Sequence, residues 1–365
     1  MNESWSVLKD GALRRENEGS AGFAQCIDPL SDPNWDSILA TIPSASFFHG
    51  ASWAHVLRET YAFSPCYFVV AALSGINSLL PVMEVNSWIT GRRGVSLPFA
   101  DECEPLCLSS GSFYQVFEAA RVFAKTQSWR YLEFRGGRTW LHEARSSDSF
   151  LGHCLDLRDK EHNLLDQMRK STQGAIRRAE DYGLMVEFSH GSEALEAFYG
   201  LLCKTRRRQG LPPQPYRFFA NIHRYVFSAN KGCVVLARLN GVPIAGAVFF
   251  QSGNTVLYKY AASDTRYRNL CANNLVVWNA IKWHQQRGFE VFDFGRTSKE
   301  NEGLRKFKLG WGSKEYELDY FRYEPRSGGF VETNSKSRGR GRSIFKLLPA
   351  PLSRLAGSAL YRHVA

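Results

Sequence analysis

The sequence has little of several features that would assign a function directly. Nowhere in its 365 residues do about 18 apolar residues follow one another, and residues 1–30 hold no apolar run of signal-peptide length. Its eight cysteines lack CxxC spacing, and the sequence contains no Walker loop, GxGxxG motif or Ser/His/Asp order. These absences predict a cytoplasmic protein with reduced cysteines, no disulfide framework and no covalent nucleophile. No metal site is expected, since no histidine lies near the cysteine pair Cys103 and Cys107 in sequence.

Positive charge is concentrated at one end of the chain. The net charge is +11, and seven of these charges lie after Thr333, where no acidic residue occurs. The remainder is nearly balanced, which disfavours DNA binding. The tail continues into a short segment that has apolar residues on one side at Leu352, Leu355, Ala359 and Leu360. This pattern predicts peripheral contact with the inner face of an anionic membrane, and the alternative is a disordered tail without a partner.

Two stretches of the chain repeat one another. Residues 66–85 recur in altered form as residues 233–250, and YLEFRG at 131–136 recurs as VFDFGR at 291–296. The spacing of roughly 160 residues is that of one compact domain. With 44% hydrophobic residues, the chain can fill two cores. The repeat predicts a duplicated α/β unit, with domains divided as follows: a disordered start at 1–30, a first domain at 31–152, a second domain at 153–330 and a basic tail at 331–365.

The second half contains the clearer structural signals. Asn240-Gly241 predicts a two-residue hairpin turn. The apolar spacing from Leu165 to Ala179 predicts one helix, with Lys170 and Arg177 together on its opposite face. These two cations are candidates to meet a phosphate, and the alternative is a solvated helix face.

A strand, a loop and the start of a helix follow one another near residues 262–273. Such a helix start suits an anion, because unpaired N–H groups and the positive end of the helix dipole converge there. Arg268, Asn273 and Asn274 are therefore candidate anion-binding residues. Arg206 and Arg208 are further candidates for a phosphate, since guanidinium groups donate in forked pairs.

Longer phrases carry a family resemblance. They are FFHGASW (47–53), VSLPFAD (95–101), RKSTQGAIRRAEDYGL (169–184), ANNLVVWNAIKWHQQRGFEVFDFG (272–295) and the run from Phe292 to Phe321. Together they resemble the FemAB-like or BioF2-like branch of the Gcn5-related N-acetyltransferase (GNAT) superfamily. The resemblance implies an α/β (α+β) fold of two tandem GNAT-like domains, each a mixed, mostly antiparallel sheet flanked by helices. The family usually has glycines in the donor-binding turn, whereas this chain has Arg268 to Asn274 there.

The resemblance also implies a reaction. The family transfers an acyl or aminoacyl group to an amine of an envelope or exopolysaccharide precursor, from acyl-CoA or aminoacyl-tRNA and without a tightly bound cofactor. The alternative is a non-catalytic scaffold of envelope assembly whose donor site has degenerated. The family's Phe-Lys pair falls on Phe307 and Lys308, and the lysine is expected near the reacting carbonyl; the alternative is a surface lysine beside a core phenylalanine.

Two copies of one fold packed side by side would create a cleft, and the remaining candidates are expected around it. A carboxylate could take the proton of the attacking amine, which makes Asp293 and Asp101 candidates; the alternative for each is a capping or salt-bridging residue. Arg296, Tyr258 and Tyr260 are candidates for orienting a ligand, with packing as the alternative.

Overall fold

A computed structural model describes residues 6–7, 13–14, 23–72, 75–332 and 349–364. The chain divides into two compact units. The first unit contains Met1–Ser149, Leu318–Ser335 and Leu360–Ala365, and the second contains Phe150–Glu317 and Lys336–Ala359. Across the described part of the chain, no helix is long and apolar enough to cross a membrane.

In its described residues, the first unit contains short strands and the following three α-helices. Its helices are α1 (Trp35–Leu39), α2 (Ala51–Tyr61) and α3 (Ser110–Thr126). Its strands are β1 (Ser6–Val7), β2 (Leu13–Arg14), β3 (Gln25–Ile27), β4 (Ser64–Pro65), β5 (Tyr67–Ala72), β6 (Gly75–Leu80), β7 (Met83–Ser87), β8 (Gly91–Val95), β9 (Leu106–Cys107) and β10 (Leu132–Arg135). The start of β11 (Asp148–Asp156), most of β18 (Lys314–Glu324) and β19 (Gly329–Phe330) complete it.

A strand–helix–strand passage organises the first unit. β8 leads through a loop into α3, and β10 then returns parallel to β8, with Leu132 opposite Gly94 and Glu133 opposite Val95. Ser109 caps α3 by accepting the N–H of Ser112, which fixes where the helix begins. One sheet runs in the order β18-β10-β8-β7-β4 and another in the order β3-β5-β6-β9. The apolar face of α3 packs on this core through side chains such as Val116.

The second unit has longer strands and more helices. Its helices are α4 (Glu161–Gln167), α5 (Lys170–Asp181), α6 (Ser192–Gln209), α7 (Tyr216–Ile222), α8 (Ala272–Gln285) and α9 (Glu302–Leu309), with most of α10 (Ala350–Leu360). Its strands are most of β11, then β12 (Met185–Ser189), β13 (Gly232–Leu239), β14 (Val242–Ser252), β15 (Thr255–Ser263), β16 (Val291–Asp293) and β17 (Thr297–Ser298). The sheet runs β12-β13-β14-β15-β16-β11.

The two parallel strands at the centre of this sheet pair over only a short length. β15 and β16 are parallel and pair only from Thr255 to Leu257, with Leu257 opposite Asp293. Beyond that point β15 continues for six residues without β16, whose last residue is Asp293. The register of β14 against β15 also shifts between Val248 and Phe249. The buried helix α8 connects these two strands, and side chains such as Val277 fill the core between helix and sheet.

Local sequence signals explain several of these elements. Asn240 and Gly241 have φ of 48° and 80°, as a type I′ turn requires, and they join β13 to β14 as predicted. The predicted strand and buried helix near residues 262–273 are also present as β15 and α8.

Three features differ from the sequence expectations. The single helix predicted over Leu165–Ala179 is two helices, because Met168 and Arg169 are extended and the N–H of Arg169 donates to Gly310 O at 3.0 Å. Part of the start predicted as disordered is ordered, since Gln25–Ile27 pairs with β5. The segment Leu318–Glu324 belongs to the first unit, where it pairs with β10, although the sequence assigned it to the second domain. The basic residues 333–348 lie outside the described residues.

Candidate functional site

A buried lysine lies beyond the end of β16. Lys308, on α9, is 2% exposed, and its Nζ donates to Gly295 O at 2.7 Å and Arg296 O at 3.0 Å. Asn301 caps α9 by accepting the N–H of Leu304, so the helix begins at a defined position. A buried ammonium group is costly unless fixed dipoles surround it, and the two carbonyls supply them. Lys308 is therefore not the surface lysine of the alternative interpretation.

The turn that holds these carbonyls is shaped by an aspartate. Asp293 Oδ1 accepts the N–H of Gly295 at 2.7 Å, and Gly295 has φ of 67°, which favours glycine. Asp293 thus fixes the direction of one carbonyl that receives the Lys308 ammonium. Arg296 is exposed, and its guanidinium lies 4.5 Å from the ring centroid of Phe150.

A histidine on β11 belongs to the same cluster. His153 is fully buried, and its Nε2 donates to Glu315 Oε2 at 3.0 Å. Its Nδ1 has no hydrogen-bond partner among the described residues. Burial first, and the positive charge of Lys308 second, hold the pKa of His153 below its ordinary value although Glu315 opposes them. Arg305 donates twice to Glu315 and lowers the pKa of that carboxyl. His153 is therefore neutral at pH 7, with Nδ1 as an acceptor.

The aromatic candidates pack rather than converge. Tyr258 contacts Phe292 and other rings of the α8 side, and burial raises its pKa. Tyr260 contacts Phe218 of α7 instead, so the two tyrosines pack against different parts of the unit. Phe307 is half-buried and lies edge-on to Trp311. These rings shape the walls near β15 and α9.

A positively charged cleft lies where α6 ends. It has a volume of about 630 Å³ and is lined by Lys204, Arg207, Arg208, Asp264, Thr265 and Arg266. Asp264 accepts from Arg266 at 2.7 Å and from Lys204 at 2.8 Å. Both contacts, that of Arg266 first, keep the pKa of Asp264 below its usual range. Four cations face one carboxylate, so the cleft is suited to an anion.

The candidate donor turn follows this cleft directly. Asp264 is the first residue after β15, a 3₁₀ helix spans Thr265–Leu270, and Cys271 then takes φ of 54° before α8 begins. Among the described side chains none caps the start of α8. Asn273 donates to Ser263 Oγ at 3.3 Å, and the N–H of Asn274 donates to Cys271 O. Arg268 is exposed on the turn.

The other predicted cations are spread over the second unit. Lys170 and Arg177 are exposed on α5, on the face opposite its buried residues. Arg208 lines the charged cleft, whereas Arg206 is partly buried and donates to Gln209 Oε1 at 3.5 Å. Asp101 lies in the first unit, where its backbone oxygen accepts from Tyr320 at 2.5 Å.

Sequence reasoning missed several members of this site. Lys204 and Arg207 share a helix face with Arg208, since their spacing of three and four residues follows the helix period, and that signal was available in the sequence. His153 and Glu315 meet across a wide gap in the chain, and no local pattern indicates that pairing.

The comparisons with known proteins concern the family and the fold. Residues 166–318 match the family model described as acetyltransferase (GNAT) domain. The chain is 31% identical to the lipid II:glycine glycyltransferase of Staphylococcus haemolyticus over 96 residues, which are 24% of this chain and 23% of that protein. It is 30% identical to the same enzyme of Staphylococcus aureus strain N315 over 95 residues, 23% of each. The alignment thus spans less than a quarter of these relatives.

Solved structures support the fold over most of the chain. FemX superposes with a TM-score of 0.64 at 14% identity, covering 78% of this chain and 94% of that one. A tandem GNAT protein from the clavulanic acid biosynthesis pathway gives 0.51 at 12% identity, covering 83% and 98%. These superpositions show the GNAT fold, which confirms the predicted fold class of tandem GNAT-like domains.

Proposed function

We propose that the protein is a transferase that moves an acyl or aminoacyl group from an activated donor to an amine. The observation that supports it most is the buried ammonium of Lys308 near the end of β16, where the pairing of β15 with β16 stops. Lys308 lies inside the segment that matches the acetyltransferase domain. A fixed cation in a buried site stabilises negative charge that develops during a reaction, because no solvent has to reorganise.

The reaction we propose needs no covalent enzyme intermediate. The acceptor nitrogen attacks the donor carbonyl carbon, a C–N bond forms, and negative charge collects on the carbonyl oxygen near Lys308. The intermediate collapses as the bond to the donor's sulfur or oxygen breaks, and the leaving thiol or hydroxyl takes up a proton. The amine must lose a proton, and His153 is our candidate acceptor because it is neutral with an acceptor Nδ1. Asp293 positions the turn instead.

We assign the donor's phosphates to the charged cleft. Acyl-CoA and aminoacyl-tRNA both carry them, and Lys204, Arg207 and Arg208 present cations to that space. The neighbouring start of α8 adds the positive end of a helix dipole. Both donors remain candidates, and the donor is a co-substrate rather than a bound cofactor.

The acceptor we propose is an amine of a cell-envelope or exopolysaccharide precursor. The support comes from the relatives, whose names give lipid II as their substrate and glycine as the group transferred. The reaction would take place on the cytoplasmic side, at the inner face of the membrane, where lipid-linked precursors are accessible to a peripheral protein.

A non-catalytic scaffold of envelope assembly is the second candidate. It is favoured by the turn before α8, where the chain has Cys271 at φ of 54° rather than a glycine. A side chain at a left-handed position restricts how closely a phosphate can approach the backbone.

The two candidates differ in donor binding. We expect one of acetyl-CoA, longer acyl-CoAs or aminoacyl-tRNA to raise the melting temperature of the full chain, since a ligand that binds only the folded state stabilises it. A labelled acyl group should then move from that donor to an extracted lipid-linked precursor.

The control for this experiment is Lys306→Met, which removes an exposed cation from the same helix. It should leave transfer intact, whereas Lys308→Met should abolish most of it with the donor still bound. If no donor shifts the melting temperature and no label moves, the protein is the scaffold.

A further inference from the structure

Two large apolar side chains project next to one another from the turn between β7 and β8. This turn, Ser87–Gly91, exposes 85% of Trp88 and 51% of Ile89. Exposed apolar residues that stand singly are ordinary on protein surfaces, but an adjacent tryptophan and isoleucine at the tip of a turn form a patch that costs free energy in water.

The turn is held in one conformation. Ser87 Oγ accepts the N–H of Ile89 at 3.2 Å and of Thr90 at 3.0 Å. The same hydroxyl lies 2.9 Å from His363 Nδ1, to which it donates. Gly91 follows at φ of 80°, so the chain reverses directly after the apolar pair. Trp88 and Ile89 are therefore presented outward by a rigid support.

The end of the chain adds to this surface within the first unit. His363 O accepts from Arg93 at 2.9 Å and from Thr90 Oγ1 at 3.0 Å, and the Trp88 ring lies edge-on to the His363 ring. The next residue, Val364, is 59% exposed. A third exposed apolar side chain therefore follows directly in the chain after the residue that contacts Trp88.

The charge around the tip is positive. Arg130 donates to Thr90 O at 3.1 Å, and Arg362 is exposed beside His363 in the chain. No acidic residue occurs in the sequence between Glu84 and Asp101, or after Glu332. Helix α10, which leads into this segment, also leaves Leu352 and Leu355 exposed, because it packs through Ser353 and Gly357.

We propose that the β7–β8 turn, together with Val364 and Arg362, inserts into the surface of an anionic lipid bilayer. Tryptophan favours the boundary between lipid headgroups and acyl chains, where its ring is buried and its N–H stays hydrated. Cations around an apolar tip add attraction to anionic lipid that a protein partner would not require. The proposal uses no residue of the proposed reaction and holds whether or not the protein is a transferase.

The test is flotation of the full chain with vesicles of phosphatidylcholine containing one third phosphatidylglycerol, against vesicles of phosphatidylcholine alone. We expect binding to the anionic vesicles, and Trp88→Ser/Ile89→Ser should weaken it at least about tenfold, as loss of two inserted apolar side chains implies. The matched control is Leu108→Ser/Val122→Ser, which removes two apolar residues that are 80% and 58% exposed elsewhere in the same unit. The control should bind like the wild type.

A second measurement locates the contact. Lipids brominated on the acyl chain should quench part of the tryptophan fluorescence of the wild type, and Trp88→Phe should keep vesicle binding while losing that quenching. Arg362→Glu should weaken binding less than the double serine variant. The proposal is overturned if the chain ignores anionic vesicles, or if both double variants bind equally well, since the contact would then belong to the basic tail alone.

Discussion

The two units contain the same strand–helix–strand passage. They differ in the side chains that lie at the end of the second strand of that passage. In the first unit, β8 leads to α3 and β10 returns parallel to β8; in the second, β15 leads to α8 and β16 returns parallel to β15. The connection before the helix is Ser96–Ser109 in the first copy and the shorter Asp264–Cys271 in the second. The duplication is thus visible in the pairing itself.

Two of the aligned positions at which the returning strands differ set the two copies apart. When YLEFRG is set against VFDFGR, Arg135 stands where the second copy has Gly295, and Glu133 where it has Asp293. Arg135 donates to the oxygens of Leu97 and Ala100, so the first copy's own connection is tied to the strand end. In the second copy the glycine carbonyl accepts from Lys308 instead. In the first copy the strand end carries a structural ion pair. In the second copy it accepts a buried cation, to which we assign a role in the proposed reaction.

The largest expected effect is a difference between the two aligned carboxylates, Glu133 and Asp293, in their contribution to the free energy of unfolding. Burial would raise the pKa of Glu133, but Arg135 and Arg322 hold it below its ordinary value. Glu133→Gln leaves buried guanidinium groups without their charge partner and should lower the free energy of unfolding by about 3 kcal/mol. Asp293→Asn keeps an oxygen for the Gly295 N–H and should cost about 1 kcal/mol. Urea denaturation followed by circular dichroism measures both, and equal losses would contradict the comparison.

Acid sensitivity should be shared by the two units. His49 in the first unit donates from Nε2 to Glu104 O while Nδ1 accepts the Ser46 N–H, and burial lowers its pKa to about 4. His284 in the second unit is likewise lowered to about 4, chiefly by burial. The unfolded chain therefore binds protons first as pH falls from 6.5 towards 4, and stability drops over that window.

The size of that drop can be measured. Each histidine should contribute about 2–3 kcal/mol of lost stability by pH 4.5, and almost none at pH 7.5. His49→Gln and His284→Gln should each be denatured at both pH values. The free energy of unfolding of each variant should differ less between the two pH values than that of the wild type. An unchanged difference in both variants would assign the acid sensitivity to other groups.

Catalysis should depend on the second copy only. Lys308→Met should lower kcat about 100-fold with little change in KM, the usual cost of losing one preorganised group at a developing oxyanion. His153→Gln should lower kcat less and should remove the acidic limb of its pH profile. Arg135→Met in the first copy should reduce stability but not the specific activity of the folded fraction, and a kcat loss there comparable to that of Lys308→Met would break the assignment.

The smallest effect concerns donor affinity. Lys204→Ala/Arg208→Ala should weaken donor binding about tenfold, and the loss should shrink at high salt because screening already weakens these contacts. The comparison pair is Lys170→Ala/Arg177→Ala, which removes two exposed cations from α5. Its effect on the donor dissociation constant should be smaller. If the α5 variant weakened donor binding more than Lys204→Ala/Arg208→Ala, the phosphate site would be assigned to α5 instead.

Local patterns were sufficient for much of the fold. The Asn240-Gly241 turn and the succession of strand, loop and helix near residues 262–273 were predicted correctly because neighbouring residues determine them. The break in the helix at Met168 could not be predicted from the sequence, because the apolar periodicity continues through it. The hydrogen bond from the Arg169 N–H is accepted by Gly310, which is distant in the sequence. The contacts of Lys308 and the pairing of His153 with Glu315 also join distant segments, so the sequence suggested the lysine through resemblance and the histidine not at all.

The bond between Arg169 and Gly310 also bears on the order in which the molecule matures. Gly310 ends the helix that carries Lys308, and a side chain on it would collide with Thr172 of α5, so the two helices are fitted closely there. During synthesis the strands β11 to β15 leave the ribosome before α9 does, whereas β16 and β17 precede it by only a few residues. A nascent chain can therefore pair most of that sheet while the Lys308 ammonium group is still missing, and the centre that we propose is complete only with the last helix before β18.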